Sequence, residues 1–109
     1  MSRERLPSRR RQVTDVLRYP SANGRRIHLS AGFSPDGRLL ECFARGGSIV
    51  GQDLDFLLDD IAVIVSRCLQ HGDRLSHIAA GLGRTREGKP TSIVAAIVDK
   101  LREIEEGDQ

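Results

Sequence analysis

A chain of 109 residues with 39% apolar and 29% charged side chains has material for one hydrophobic core and not for two. Its aromatic fraction of 4% leaves no stacking platform for nucleic-acid bases, and its longest apolar run, Ile61 to Val65, is far short of the about 20 residues a membrane span needs. Charge is uneven: residues 1–26 carry eight arginines against Glu4 and Asp15, a net +6, whereas residues 27–109 carry nine basic against thirteen acidic residues, a net −4.

In chain order, residues 1–12 read as a basic arm. Arg3, Arg5, Arg9, Arg10 and Arg11 lie there without any apolar period, and folding is expected to begin at Val13. Val13 to Tyr19 is rich in β-branched residues and stops at Pro20, which predicts a strand. Ile27, Leu29, Ala31 and Phe33 alternate with His28, Ser30 and Gly32, the pattern of a half-buried strand. Ser34-Pro35-Asp36-Gly37 suits a type I turn, and a second hairpin strand runs from Arg38 to Arg45 before Gly46-Gly47.

From Asp53 the period becomes helical. Leu54, Leu57, Leu58, Ile61, Ile64, Val65, Cys68 and Leu69 recur at spacings of three and four and are expected inward, while Asp59 and Asp60 lie on a solvated face and His71-Gly72 ends the helix. Asp53 and Asp55 stand near the positive helix end. Asp73 is placed to cap a short helix bearing Leu75, Ile78, Ala79 and Leu82, and a loop spans Arg84 to Pro90. Thr91 or Ser92 is placed to cap a last helix whose inward residues are Val94, Ile97, Val98, Leu101 and Ile104. The order β-β-β-α-α-α predicts an α+β domain over 13–106, three helices packed on a small antiparallel sheet, with 107–109 as a tail.

Chemistry is sparse. His28, His71 and His77 fall on separate elements without paired cysteines or an HExxH motif, so neither a metal nor any other cofactor is expected, and no residue is identified as catalytic. Cys42 and Cys68 have no CxxC spacing, suit a reducing cytoplasm, and are expected to be buried and unreactive. Two binding features remain. The arm arginines, with Arg25 and Arg26, suit phosphates or an acidic protein surface. Gly46, Gly47, Ser48 and Gly51 join a strand to a helix start, where free backbone N–H groups suit an anion, although the loop matches no phosphate-binding motif and Asp53 and Asp55 oppose one.

Nearly the whole chain resembles one family. Arg5-Leu6-Pro7, then Arg9-Arg10 and Thr14, then Pro35-Asp36-Gly37-Arg38 with Leu40-Glu41-Cys42-Phe43, then Gly47-Ser48, Gly51 and the helix end Leu69-Gln70-His71-Gly72 are similar, in order, to the C-terminal accessory domain of adenosylcobalamin-dependent (class II) ribonucleotide reductases. That domain is named TSCPD after a Thr-Ser-Cys-Pro-Asp signature. The present chain reads Thr91-Ser92-Ile93-Val94-Ala95 there, so the signature's cysteine, proline and aspartate are absent. The reductases form their radical in a separate barrel, and the resemblance transfers no catalytic residue to this chain.

Two functional classes follow. The resemblance implies a non-catalytic accessory module acting through protein contacts, with a reductase or a regulatory protein as partner and homo-oligomers allowed. The alternative is a small nucleic-acid-binding regulatory protein that uses its basic arm. A nucleotide sensor built on the Gly46–Gly51 loop rests on the weakest motif of the three.

Overall fold

The structure, a computed structural model, describes residues 11–21, 23–46 and 52–107, with the side chains of Gln52 and Asp53 excepted. Three strands, β1 (Gln12–Tyr19), β2 (Arg25–Phe33) and β3 (Leu39–Gly46), precede three helices, α1 (Gln52–Gln70), α2 (Leu75–Ala80) and α3 (Ile93–Gly107). The strands form one antiparallel sheet in the order β1-β2-β3. The expected α+β fold is the observed one.

The alternation of β2 sets the architecture. Ile27, Leu29, Ala31 and Phe33 are buried on one side and His28 and Ser30 lie on the other. The register aligns Leu29 with Ala44 and Ala31 with Cys42, so the inner face continues across β3. The turn between them also forms as expected: Gly37 N–H donates to the Ser34 carbonyl at 3.0 Å, and Gly37 has a φ of +88°, a conformation that favours glycine. Helix α3 contributes Ile97, Val98, Leu101 and Ile104 to the core, and α2 contributes Leu75 and Ala79. Phe33 at the centre is completely buried, and truncating such a side chain to alanine costs about 3–5 kcal/mol.

Helix α1 departs from the expected stripe. Leu58, Ile61, Ala62, Val65 and Leu69 are buried, but Leu57 and Ile64 are exposed and Cys68 is only half-buried. The reason is its seat. Ser66 and Gln70 hydrogen-bond the backbone of β3, so α1 runs along that strand's edge. Successive helical residues turn by about 100°, so with the buried arc centred on Leu58 and Val65 their predecessors Leu57 and Ile64 rotate toward water. The helix ends as expected at Gly72, whose φ is +104°, with Asp73 N–H reaching back to the Cys68 carbonyl.

Asp73 does not cap α2. Arg74 holds the N-cap position in extended conformation, with no side-chain bond to the helix. At α3 the cap is Ser92, whose Oγ accepts from the Ala95 N–H at 3.1 Å. The segment before it folds back on itself, Thr85 N–H donating to the Lys89 carbonyl. Arg84 ties that turn to α3 through two bonds to Asp99, at 2.8 and 2.6 Å.

Candidate interaction surface

The same alternation that fills the core leaves the second face of the sheet open. Thr14, Val16 and Arg18 of β1 align with Ser30, His28 and Arg26 of β2, and Ser30 and His28 align in turn with Phe43 and Arg45 of β3. Phe43 is 57% exposed and Val16 38%. Beyond β3 the outer arc of α1 adds Phe56 at 58%, Leu57 at 48%, Val63 at 52% and Ile64 at 62%. Single exposed apolar side chains are ordinary, whereas a run of them marks a contact surface.

Two adjoining hollows join Val16, Phe43 and Val63, while Phe56, Leu57 and Ile64 lie outside both. One, of about 590 Å³, is lined by Val16, His28, Phe43, Arg45 and Asp59. The second, of about 410 Å³, lies between β3 and α1 and is lined by Phe43, Asp59, Val63 and Arg67. Phe43 and Asp59 border both, so the apolar tract runs from the sheet onto the helix.

The edge of β3 beneath this tract is closed by side chains. Cys42 N–H donates to Ser66 Oγ at 2.9 Å, and that hydroxyl donates back to the Cys42 carbonyl at 3.2 Å. Gln70 Nε2 donates to the Leu40 carbonyl at 3.1 Å, and Leu39 N–H donates to a Glu105 carboxylate oxygen at 3.0 Å. Over Leu39 to Cys42 the occupied backbone groups are closed to another strand. Burial pushes the Cys42 thiol up to about 11, outweighing the opposite effect of the Ser66 hydroxyl, so it stays protonated at neutral pH and is no nucleophile.

The electrostatics of the open face are lopsided. Arg18 and Arg26 stand directly across from one another, and His28 and Arg45 form the next pair on the same face. Arg18 donates to the Gly24 carbonyl, yet among the described residues no carboxylate forms an ion pair with Arg18, Arg26 or Arg45. Asp59 and Asp60, exposed on α1, supply the opposite sign. His71 and His77 are exposed elsewhere, and no group of three His, Cys, Asp or Glu side chains among the described residues could hold a metal ion.

Of the residues singled out from the sequence, Arg26 belongs to this surface and Arg25 is exposed beside it on β2. Arg11 lies over the Phe33 ring at 4.6 Å, at the far end of β2 from Arg26. The structure therefore does not gather Arg11 with Arg25 and Arg26. Gly46 is the last residue of β3, paired with Ile27. Arg3, Arg5, Arg9, Arg10, Gly47, Ser48 and Gly51 lie outside the described residues. The sequence pattern does not disclose the tract of Phe43, Phe56, Val63 and Ile64. Its one signal is Phe43, which stands out of phase with Cys42 and Ala44 in a strand where those two point inward.

A family model for the TSCPD domain matches residues 3–105. The chain belongs to the TSCPD domain family. It is thus kin to the accessory domain of class II ribonucleotide reductases, as the segments from Arg5 to Gly72 imply. No curated protein and no solved structure matches this TSCPD chain. No helix among its described residues is long and apolar enough to cross a membrane.

Proposed function

We propose that this TSCPD domain is a non-catalytic accessory module that acts by binding protein, a ribonucleotide reductase chain or a regulator of one being the partner class. The supporting observation is the apolar tract that runs from Val16 and Phe43 to Val63, with Phe56 and Ile64 also exposed on α1 and charges of both signs at its border. An apolar centre with a polar rim is the anatomy of a protein interface, and water gains from its burial. The test is calorimetric titration of the full chain into a class II reductase catalytic chain that lacks such a domain. Saturable binding that disappears in a Phe43→Gln, Val63→Gln variant of unchanged fold is expected. Absence of binding by the parent chain, or binding indifferent to both substitutions, refutes the reading.

The cationic corner of Arg18, Arg26 and Arg45 favours a second reading, in which that corner and the arm arginines contact nucleic-acid phosphates. Asp59 and Asp60 on the adjoining helix oppose a duplex there. Binding of DNA and RNA titrated with salt decides: if this reading holds, deletion of residues 1–10 flattens the salt slope by about one unit for each arginine–phosphate pair removed.

A further inference from the structure

We propose that the open sheet face and the outer arc of α1 form one self-complementary surface through which two copies of this chain pair about a two-fold axis, the acidic, apolar helix of each lying over the basic hollow of the other. This rests on the reading that the domain works through protein contacts, and it names the occupant of the surface.

The surface has two parts that differ in charge. One is the hollow floored by Val16 and Phe43 and lined by Arg45, with Asp59 at its α1 side and Asp15, which pairs with Lys100. Arg18 and Arg26 stand in the next row of the same sheet face, and neither they nor Arg45 form an ion pair among the described residues. The other part is α1, where Phe56, Val63 and Ile64 stand out with Asp59 and Asp60 between them. Asp59 and Arg45 line the same hollow without forming an ion pair, so both charges remain available to a partner.

This arrangement discriminates among occupants. A polyanion satisfies the arginines but meets repulsion from Asp59 and Asp60. A purely acidic protein segment does the same and leaves Phe56 and Ile64 in water. A partner with an acidic apolar ridge beside a basic hollow satisfies both halves, and a second copy offers those features in the order that a two-fold axis requires, residue i meeting j while j meets i.

The dimensions suit a weak, smaller-than-standard interface. Three strands about 4.8 Å apart beside a helix about 10 Å wide, each element roughly 25 Å long, make a face on the order of 600 Å² before side-chain relief is added. A standard-size interface takes about 800 Å² from each partner, roughly a ninth of the chain's 7239 Å².

Charge reversal in two complementary sets tests the pairing. The full chain is examined by sedimentation equilibrium at low salt from about 1 to 200 µM, a range that weak interfaces of this size occupy. The parent is expected to approach twice its 12.0 kDa mass. Arg26→Glu with Arg45→Glu, and separately Asp59→Arg with Asp60→Arg, each raise the dissociation constant by at least about tenfold, since each creates like-charge contacts at both ends. Mixing the two variants restores a dimer, because one end becomes Arg against Glu and the other stays native. All four side chains are exposed, and circular dichroism verifies each fold; Phe43→Gln with Val63→Gln weakens the dimer independently of charge. A parent that stays monomeric throughout, a dimer indifferent to these sets, or variants that fail to rescue one another overturn the proposal. A monomer that binds a reductase chain in a Phe43- and Val63-dependent way overturns the second copy alone and leaves the protein-contact reading standing.

Discussion

Removal of one hydroxyl, in Ser66→Ala, should loosen the joint between α1 and the sheet more than the size of the change implies. Ser66 Oγ accepts from the Cys42 N–H and donates to the Cys42 carbonyl, so one side chain satisfies two backbone groups of a buried residue. Alanine leaves both without that partner. Each unsatisfied buried polar group costs about 1–3 kcal/mol, so with some compensation from inward-reaching water the loss is about 2–4 kcal/mol. For a domain near 100 residues, each kcal/mol moves Tm by about 4–8 °C, which places the variant's melting on the order of 10–30 °C below the parent. Circular dichroism melts and urea titrations measure it, with Ser66→Thr, which keeps the hydroxyl, as the control expected to remain near the parent. A Ser66→Ala protein melting within about 3 °C of the parent would show instead that the β3 edge is satisfied without the helix.

Three further outcomes follow from the geometry. With its thiol raised by burial from an ordinary value of 9.0 to about 11, Cys42 should resist alkylation at pH 8 while half-buried Cys68 reacts sooner. The same shift makes the Cys42 contribution to stability complete below pH 9 and lost between pH 9 and about 11, a decline that Cys42→Ser should make shallower in urea titrations across that window. The Arg84 guanidinium holds the Asp99 carboxyl below its ordinary value through two hydrogen bonds, so Asp99→Asn should free the turn before α3, speeding trypsin cleavage at Arg84 and Arg86 with little change in melting. Unchanged cleavage would show that the turn is held by its own backbone bonds.

The architecture is largely legible in the sequence because its signals are local. The 27–33 alternation, the Ser34–Gly37 turn and the caps at Gly72 and Ser92 each act within a few residues, and each forms as the sequence implies. What the sequence does not carry is the direction from which α1 approaches. Its apolar residues cover more of the helix circumference than one contact can bury, since Leu57 and Ile64 share spacings with Leu58 and Val65. Only the tertiary seat, fixed by Ser66 and Gln70 against β3, decides which of them enter the core. The candidate surface is hidden for the same reason. Its apolar members come from three separate elements, and excess apolar content on a helix reads as core until the helix is docked. Arg18 and Arg45 are equally invisible, 27 positions apart in the sequence yet on the same sheet face through the register of β2.

The family signature gives the strongest reason to look to surfaces. Thr91 and Ser92 retain its first two residues, and Ser92 still caps the helix, so the signature's structural half persists. The remaining positions have been turned inward: Ile93 and Val94 pack against the core, and Ala95 is completely buried. An aspartate at position 95 would carry an unpaired charge into an apolar interior, which explains why this fold accepts alanine there. The signature's cysteine position is likewise held by an isoleucine that contributes packing and no thiol. The signature's cysteine and aspartate have no counterpart at this helix start, while the apolar tract on α1 and β3 stays largely open to solvent. A side chain such as Phe43, exposed on the edge strand of a sheet whose other face is closely packed, is the one that the proposed protein contact would cover.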